Sequence, residues 1–190
     1  MAWLILGIAL FLGIHSVSIV APTWRDAQAM RLGEMPWKGT YALLSIIGFV
    51  VLVIGYGMAR QQPVVLYTPP LWMRHVTLLL MLPVFPLLLA AYLPGRIKTA
   101  AKHPLLAAVK LWAFAHLLAN GTLADVLLFG AFLAWAVADR ISLKRRPPRK
   151  TPGAPVRAIN DVIAVVGGLL LYGWFVMQGH QWLIGVSPLG

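Results

Sequence analysis

The chain has 190 residues, 60% of them hydrophobic, and a mean hydropathy of +0.80, with only five acidic side chains and no cysteine. A soluble domain of this size needs far more charge to cover its surface, so the composition predicts a polytopic membrane protein. The lack of cysteine excludes disulfides, thiolate nucleophiles, iron–sulfur clusters and cysteine-ligated zinc.

Six apolar segments follow one another along the chain, at about 1–20, 39–59, 71–93, 104–119, 122–138 and 159–184. A membrane span takes roughly 17–25 residues and must be helical, because amides in hydrocarbon need partners within their own segment. The first segment lacks a basic start and a small-residue cleavage motif before Pro22, so we expect it to be retained. The predicted fold is an all-α, polytopic membrane helix bundle of about six transmembrane helices, in a single domain over residues 1–190.

Basic residues are concentrated in alternate loops. Thirteen lie in the loops that follow segments one, three and five, against two, Arg60 and Arg74, in the others. This asymmetry predicts that the basic loops are cytoplasmic and that both termini lie outside the cytoplasm. The string KRRPPRK (144–150) is then a topology determinant near anionic lipid headgroups. No aromatic residues are interleaved with its charges, so we expect no nucleic-acid partner.

Prolines and a short polar turn mark two local features. Pro83 and Pro86 should kink the third segment, because each removes a backbone donor. Asn120-Gly121 separates the fourth segment from the fifth, and Thr122 is able to cap the fifth helix.

Histidines are the polar residues that most need an explanation, because ionisable side chains in membrane spans are costly and often functional. His15 lies within segment one, His75 opens segment three, and His103 and His116 lie at the start and near the end of segment four. A neutral imidazole suits haem iron, and no paired carboxylates, GxSxG or HExxH motif competes with it. The competing interpretation is an imidazole hydrogen-bonded to a neighbouring helix. His180 is expected to be interfacial.

Helical spacing limits how these histidines can pair. His103 and His116 are thirteen residues apart, which at about 100° per residue places them on nearly opposite faces of one helix. A second ligand beside His116 would therefore come from another helix, with His15 or His75 as candidates. His103 lies instead at the expected cytoplasmic headgroup level beside Lys102, where a basic cluster could hold an anionic headgroup or phosphate.

The motifs resemble a known family. The string RIKTAAKHPLLAAVKLWAFAHLLANGTLADVLLFGAFLAWA (96–136), the segment VVLYTPPLWMRH (64–75) and the early histidine resemble the NnrU family of bacterial inner-membrane proteins. The resemblance implies an association with denitrification, the reduction of nitrite and nitric oxide. It also implies kinship with the plastid 15-cis-zeta-carotene isomerase, a membrane protein whose b-type haem is held by histidines.

By that resemblance, His15 and His116 would ligate the iron of haem b. His75 and His103 are further cofactor-binding candidates on their positions in the sequence alone. An isomerase-like reaction on an apolar small molecule between the helices is a further implication. The alternate histidine of the plastid enzyme has no counterpart near the end of segment two, which reads Tyr56-Gly57-Met58-Ala59-Arg60.

Two alternatives stay open. The His-Pro element also resembles the membrane isoprenylcysteine carboxyl methyltransferases, although Leu105-Leu106 replaces the expected aromatic residue and no acidic pair follows segment five. The other alternative is a non-enzymatic assembly or lipid-binding factor whose histidines are only hydrogen-bonded. Four glycines permit close helix contact without specifying an oligomeric partner: Gly48, Gly55, Gly167 and Gly168.

Overall fold

A computed structural model describes residues 1–147, 149 and 153–189, and in this part of the chain the regular structure is helical, as predicted. In chain order the helices are α1 (Ala2–Val20), α2 (Pro22–Leu32), α3 (Glu34–Ala59), α4 (Met73–Met81), α5 (Val84–Tyr92), α6 (Arg96–Ala101), α7 (Pro104–Ala119), α8 (Leu123–Ser142), α9 (Ile159–Trp174), a π-helical turn (Phe175–Gly179) and α10 (His180–Ile184). Pro148 and Lys150 of the KRRPPRK string lie outside the described residues.

Four helical stretches are long and apolar enough to cross a membrane: Ala2–Val20, Glu34–Ala59, Met73–Tyr92 and Ile159–Ile184. Pro104–Ala119 is apolar but has only 16 residues. Leu123–Ser142 has 20 residues and contains three charged side chains, Asp125, Asp139 and Arg140. The chain is therefore a helical membrane protein, and the count of about six spans and the outside position of both termini stay predictions.

The helices form two compact units, each discontinuous in sequence. Unit 1 comprises Met1–Thr68 and Gly121–Pro147, and so contains α1, α2, α3 and α8. Unit 2 comprises Pro69–Asn120 and the described residues of Pro148–Gly190, and so contains α4 to α7 and α9 to α10. The prediction of one domain over residues 1–190 stays a prediction, and each unit is described by itself.

In unit 1, α1 and α3 pack antiparallel at very short range. Gly7 on α1 faces the backbone of Leu52, and Gly55 on α3 faces the backbone of Trp3 and Leu4, so that a Cβ at either glycine would collide with the opposite helix. Without a hydrophobic driving force in lipid, such close backbone approach supplies the packing energy between spans. Two of the glycines noted in the sequence, Gly48 and Gly55, lie in this contact.

Helix α8 runs parallel to α1 in the same unit. Phe132 contacts Phe11, and Arg146, four residues beyond the end of α8, reaches the carbonyl oxygen of Ser18 near the end of α1. The ends of α1 and α8 and the start of α3 therefore meet at one end of unit 1. Helix α2 also lies there, in a segment predicted to be a loop; Pro22 at the first helical position favours a helix start.

In unit 2, the third segment, where a kink is predicted, is interrupted at Leu82 and Pro83, between α4 and α5, while Pro86 lies inside α5. The amide of Leu82 turns to the oxygen of Leu79, which frees the carbonyl of Leu78. Tyr172 of α9 donates its hydroxyl hydrogen to that carbonyl at 2.7 Å. The proline break thus creates an acceptor that a neighbouring helix satisfies, as membrane-buried backbone requires.

Adjacent residues at the start of α9 hold the turn before α6. Asn160 is 3% exposed and donates to the carbonyl oxygens of Pro94 and Pro155. Asp161 accepts from the backbone amides of Arg96 and Ile97. A carboxylate at this position satisfies the free amides at the helix start and complements its positive dipole end.

Candidate functional site

His15 lies on α1 in unit 1 with its ring orientation fixed. Its Nδ1 lies 2.7 Å from the carbonyl oxygen of Phe11, one turn earlier on the same helix. A carbonyl oxygen only accepts, so Nδ1 carries the hydrogen, and in the neutral imidazole the lone pair is on Nε2. Among the described residues, Nε2 has no hydrogen-bond partner.

Three aromatic rings surround the His15 imidazole. Phe11 lies 4.3 Å away between ring centroids, Tyr41 of α3 lies 5.3 Å away, and Trp135 of α8 approaches edge-on at 5.9 Å. The indole Nε1 of Trp135 is buried and finds no acceptor among the described residues. Leaving a buried donor unsatisfied costs about 1–3 kcal/mol. A ligand acceptor that bonded this N–H group beside His15 would remove that cost.

His116 lies near the end of α7 in unit 2 and has the same local bond. Its Nδ1 donates to the carbonyl oxygen of Trp112 at 2.8 Å, and the two rings lie 5.4 Å apart. Asn120 then donates its side-chain amide to the carbonyl oxygen of His116. The imidazole is half-buried, and its Nδ1–H is fixed in the way that orients metal-ligating histidines.

The structure places the remaining histidines at helix ends. His75 is exposed in the first turn of α4. His103 is the residue before α7, with Pro104 at the first helical position. His180 starts α10 directly after the π-helical turn, and its Nδ1 donates to the carbonyl oxygen of Val186 at 2.6 Å. His75, His103 and His116 belong to unit 2, and of the histidines only His15 belongs to unit 1.

A cavity of about 290 Å³ opens at the end of unit 1 where α1 finishes and α3 begins. It is lined by Val17, Ser18, Arg25, Trp37, Lys38 and Tyr41. Tyr41 lines this cavity and also contacts the imidazole of His15. One ring beside His15 is therefore also part of the cavity wall.

A buried carboxylate holds the opposite end of unit 1. Asp125 is 5% exposed and accepts from the Tyr56 hydroxyl at 2.6 Å. Thr122 caps α8 as predicted, exchanging hydrogen bonds with Asp125 in a capping box. Burial and then the negative charge of Asp125 raise the pKa of the nearby Tyr67 hydroxyl.

The histidines are recognisable in the sequence, but most of their surroundings are not. Nothing in the sequence indicates a role for Tyr41 or Trp135, or pairs Asp125 with Tyr56, which is 69 residues away. One usable signal was present: an aromatic residue lies four positions before each of His15 and His116. Such a residue shares a helix face with the histidine and can stack on it.

The fold and these residues define an all-helical membrane protein with fixed, half-buried imidazoles in apolar helices. The model of the NnrU protein family matches residues 3–188, nearly the entire chain, and so covers residues of both units. The chain belongs to the NnrU family. No curated protein and no solved structure matches it.

Proposed function

We propose that this NnrU protein binds haem b in the bacterial inner membrane, and that His15 is the first candidate, and His116 the second, to hold the iron. The observation that carries the proposal is the His15 Nδ1–H bond to Phe11, which leaves the lone pair of Nε2 without a described partner. A ligand imidazole needs this arrangement, because the hydrogen bond at one nitrogen fixes the tautomer and raises the basicity of the other.

The donor set fits a porphyrin better than a bare metal ion. A bare zinc ion takes three or four protein ligands, whereas haem iron needs only one or two from the protein. Across residues 1–147, 149 and 153–189, no three side chains of His, Cys, Asp or Glu are grouped to hold an ion. Single imidazoles beside aromatic rings support haem as the group bound.

The residues around His15 have distinct tasks in this proposal. The carbonyl oxygen of Phe11 holds the imidazole ring in one orientation. Phe11, Tyr41 and Trp135 provide apolar, polarisable faces that exclude water from the ring. The unsatisfied indole N–H of Trp135 provides a donor to a polar group on the ligand. When bound, the haem would supply one-electron and Lewis-acid chemistry.

An absorption spectrum tests the proposal directly. The full chain should be expressed with haem supply and purified in detergent. Its absorption should then be recorded from roughly 350 to 650 nm, where haem absorbs. We expect a Soret band and, after alkaline pyridine treatment, the spectrum of b-type haem. A protein that shows no Soret band even after titration with haem would contradict the proposal.

Two further parts of the proposal rest on family membership. We propose that the protein acts with the denitrification apparatus and that it is a relative of haem-dependent cis–trans isomerases acting on apolar substrates. Loss of growth on nitrate or nitrite in a deletion strain, restored by the wild-type chain, would support the first part. Isomerisation of an added polyene by the haem-loaded protein, lost in His15→Ala, would support the second.

A further inference from the structure

The end of unit 1 that holds the cavity has an excess of positive charge. Seven basic and three acidic side chains cluster there, a net of four positive charges. The basic ones are Arg25, Arg31, Lys38, Arg140, Lys144, Arg145 and Arg146, and the acidic ones are Asp26, Glu34 and Asp139. The positive-inside rule assigns this end to the cytoplasmic leaflet, where anionic lipids are found.

Two of those cations line the cavity, and no carboxylate does. Arg25 gives one of its five N–H groups to Asp26 at 3.0 Å, and its guanidinium lies 5.7 Å from the ring centroid of Trp37. Lys38 pairs with Glu34, but both side chains are more than half exposed, so the pair is weak and easily exchanged. Both cations can therefore turn to an oxyanion in the cavity.

The other walls are suited to the apolar part of a lipid. Trp37 is 8% exposed and contacts Trp24 of α2 edge-on, with ring centroids 6.1 Å apart. Tyr41 and Val17 continue the apolar side toward the interior of unit 1. Aromatic rings with one polar edge are typical of the level where headgroups meet acyl chains.

A buried ion pair keeps one wall in place. Arg146, with a side chain 9% exposed, pairs with Asp139 and donates to the carbonyl oxygen of Ser18, a lining residue. The Nε–H of Arg146 is buried and has no acceptor among the described residues. Arg146 therefore holds the Ser18 side of the cavity in place, and its Nε–H is left without an acceptor in the described part of the chain.

We propose that this cavity binds the phosphate of an anionic phospholipid headgroup, with Arg25 and Lys38 as its cationic partners and Trp37 and Tyr41 against the glycerol and first methylenes. The volume of about 290 Å³ lies at the lower limit of ligand pockets and has room for a phosphate-bearing headgroup. A zwitterionic choline headgroup would bring a cation toward Arg25 and Lys38 and is disfavoured.

Ligand-dependent thermal unfolding of the full chain in detergent tests this site. The probes are short-chain phosphatidylglycerol, phosphatidylcholine of equal chain length, and inorganic phosphate. Phosphatidylglycerol should raise the unfolding temperature with concentration, and its apparent Kd should be about tenfold lower than that of phosphatidylcholine. Equal shifts from the two lipids, or no shift from phosphatidylglycerol, would overturn the proposal.

The bound phosphate group could belong to a lipid headgroup or be free phosphate, and inorganic phosphate as a probe distinguishes the two. A shift equal to that of phosphatidylglycerol would show that the ligand is free phosphate and would overturn the lipid assignment. We expect no shift from phosphate alone, because the apolar walls add to the affinity only when glycerol and methylenes are present.

Charge variants locate the effect within unit 1. Lys38→Gln and Arg25→Gln should each weaken phosphatidylglycerol binding about tenfold, the effect of losing one charge-assisted contact. Arg25→Lys retains the charge and should lose less. Arg31→Gln is the matched control, because Arg31 is exposed on the same helix as Arg25 but does not line the cavity. An equal loss in Arg31→Gln would show a general charge effect and overturn the site.

Discussion

The two half-buried histidines lie in helical turns of the same design but in different surroundings. In each, Nδ1 donates to the carbonyl oxygen four residues earlier, and the ring contacts the aromatic side chain there, Phe11 for His15 and Trp112 for His116. Beside His15 the indole N–H of Trp135 lacks an acceptor in the described part of the chain. Close to His116, Thr77 donates to the carbonyl oxygen of Ala115, and Asn120 donates to that of His116. The local turn alone therefore does not mark a ligand, and unsatisfied neighbours are the stronger sign.

The largest effect expected from this difference is on haem content. His15→Ala should remove most of the Soret absorbance per protein, because it deletes the imidazole whose Nε2 has no described partner. His116→Ala should reduce the absorbance less and shift the band. The amount of haem per protein, measured as the pyridine derivative at equal protein concentration, shows whether His15→Ala loses more haem than His116→Ala.

His180→Ala is the control for this pair. His180 has the same type of Nδ1 bond, to Val186, but lies in a terminal turn close to the end of the chain. Haem content should stay at the wild-type level in this variant. A greater loss in His116→Ala than in His15→Ala would reverse the assignment of first and second ligand.

Close helix packing depends on different glycines in the two units. Replacing one of these glycines should give the next largest effect, a loss of stability. Gly55→Ala in unit 1 would drive a Cβ into the backbone of Trp3, and Gly168→Ala in unit 2 would drive one into Pro86. Because backbone cannot move aside cheaply, each should lower the free energy of unfolding by about 3 kcal/mol. Denaturation in mixed micelles, followed by far-UV circular dichroism, measures the loss.

Each of these substitutions has a matched control on its own helix. Gly57 follows Gly55 by two residues and Gly173 follows Gly168 by five, and a Cβ at either control position meets nothing within 4 Å. Alanine there should leave stability unchanged or raise it by about 0.5–1 kcal/mol, because glycine is a poor helix former. A control as destabilised as its partner would show that helix propensity, and not close packing, sets the cost.

Much of the fold was predictable because hydrophobic length is a strong signal in membrane proteins. The six apolar segments correspond to α1, α3, the broken pair α4 and α5, α7, α8 and the long helix from Ile159. Thr122 as a cap and the break at Pro83 were also predictable, since each follows from local backbone chemistry. The helices α2 and α6 were missed, because they are short and lack an apolar stripe.

The surroundings of the histidines were not predictable from one sequence. His15 and His116 were found because an imidazole in an apolar segment is conspicuous. Trp135 is 120 positions from His15, and nothing in its local sequence shows that its indole N–H is left without an acceptor. For the same reason, the sequence does not show that the chain leaves unit 1 and returns to it at Gly121.

Carboxylates that begin helices in the two units should differ in their contribution to stability. Asp125→Ala leaves the half-buried Tyr56 hydroxyl and the Thr122 amide without the partner they share, at a cost of about 2 kcal/mol. Asp161→Ala frees the amides of Arg96 and Ile97, but water can replace the lost acceptor at the exposed one, so about 1 kcal/mol is expected. Equal costs, measured by the same denaturation, would show that the burial of Asp125 adds nothing.

The smallest expected change in stability comes from replacing a tryptophan beside one of the two histidines. It tests most directly how the surroundings of the two histidines differ. Trp135→Phe removes a buried donor that has no acceptor within the described residues, so the loss of packing is offset and the stability of the haem-free protein should change by less than about 0.5 kcal/mol. Trp112→Phe, against the core of unit 2, should cost about 1 kcal/mol. With haem supplied, the order should reverse: Trp135→Phe should lower haem retention several-fold, because the bound group loses its donor, and Trp112→Phe should not. If Trp135→Phe destabilises the haem-free protein as much as Trp112→Phe, the indole N–H already has an acceptor, and the environment of His15 is no different in kind from that of His116.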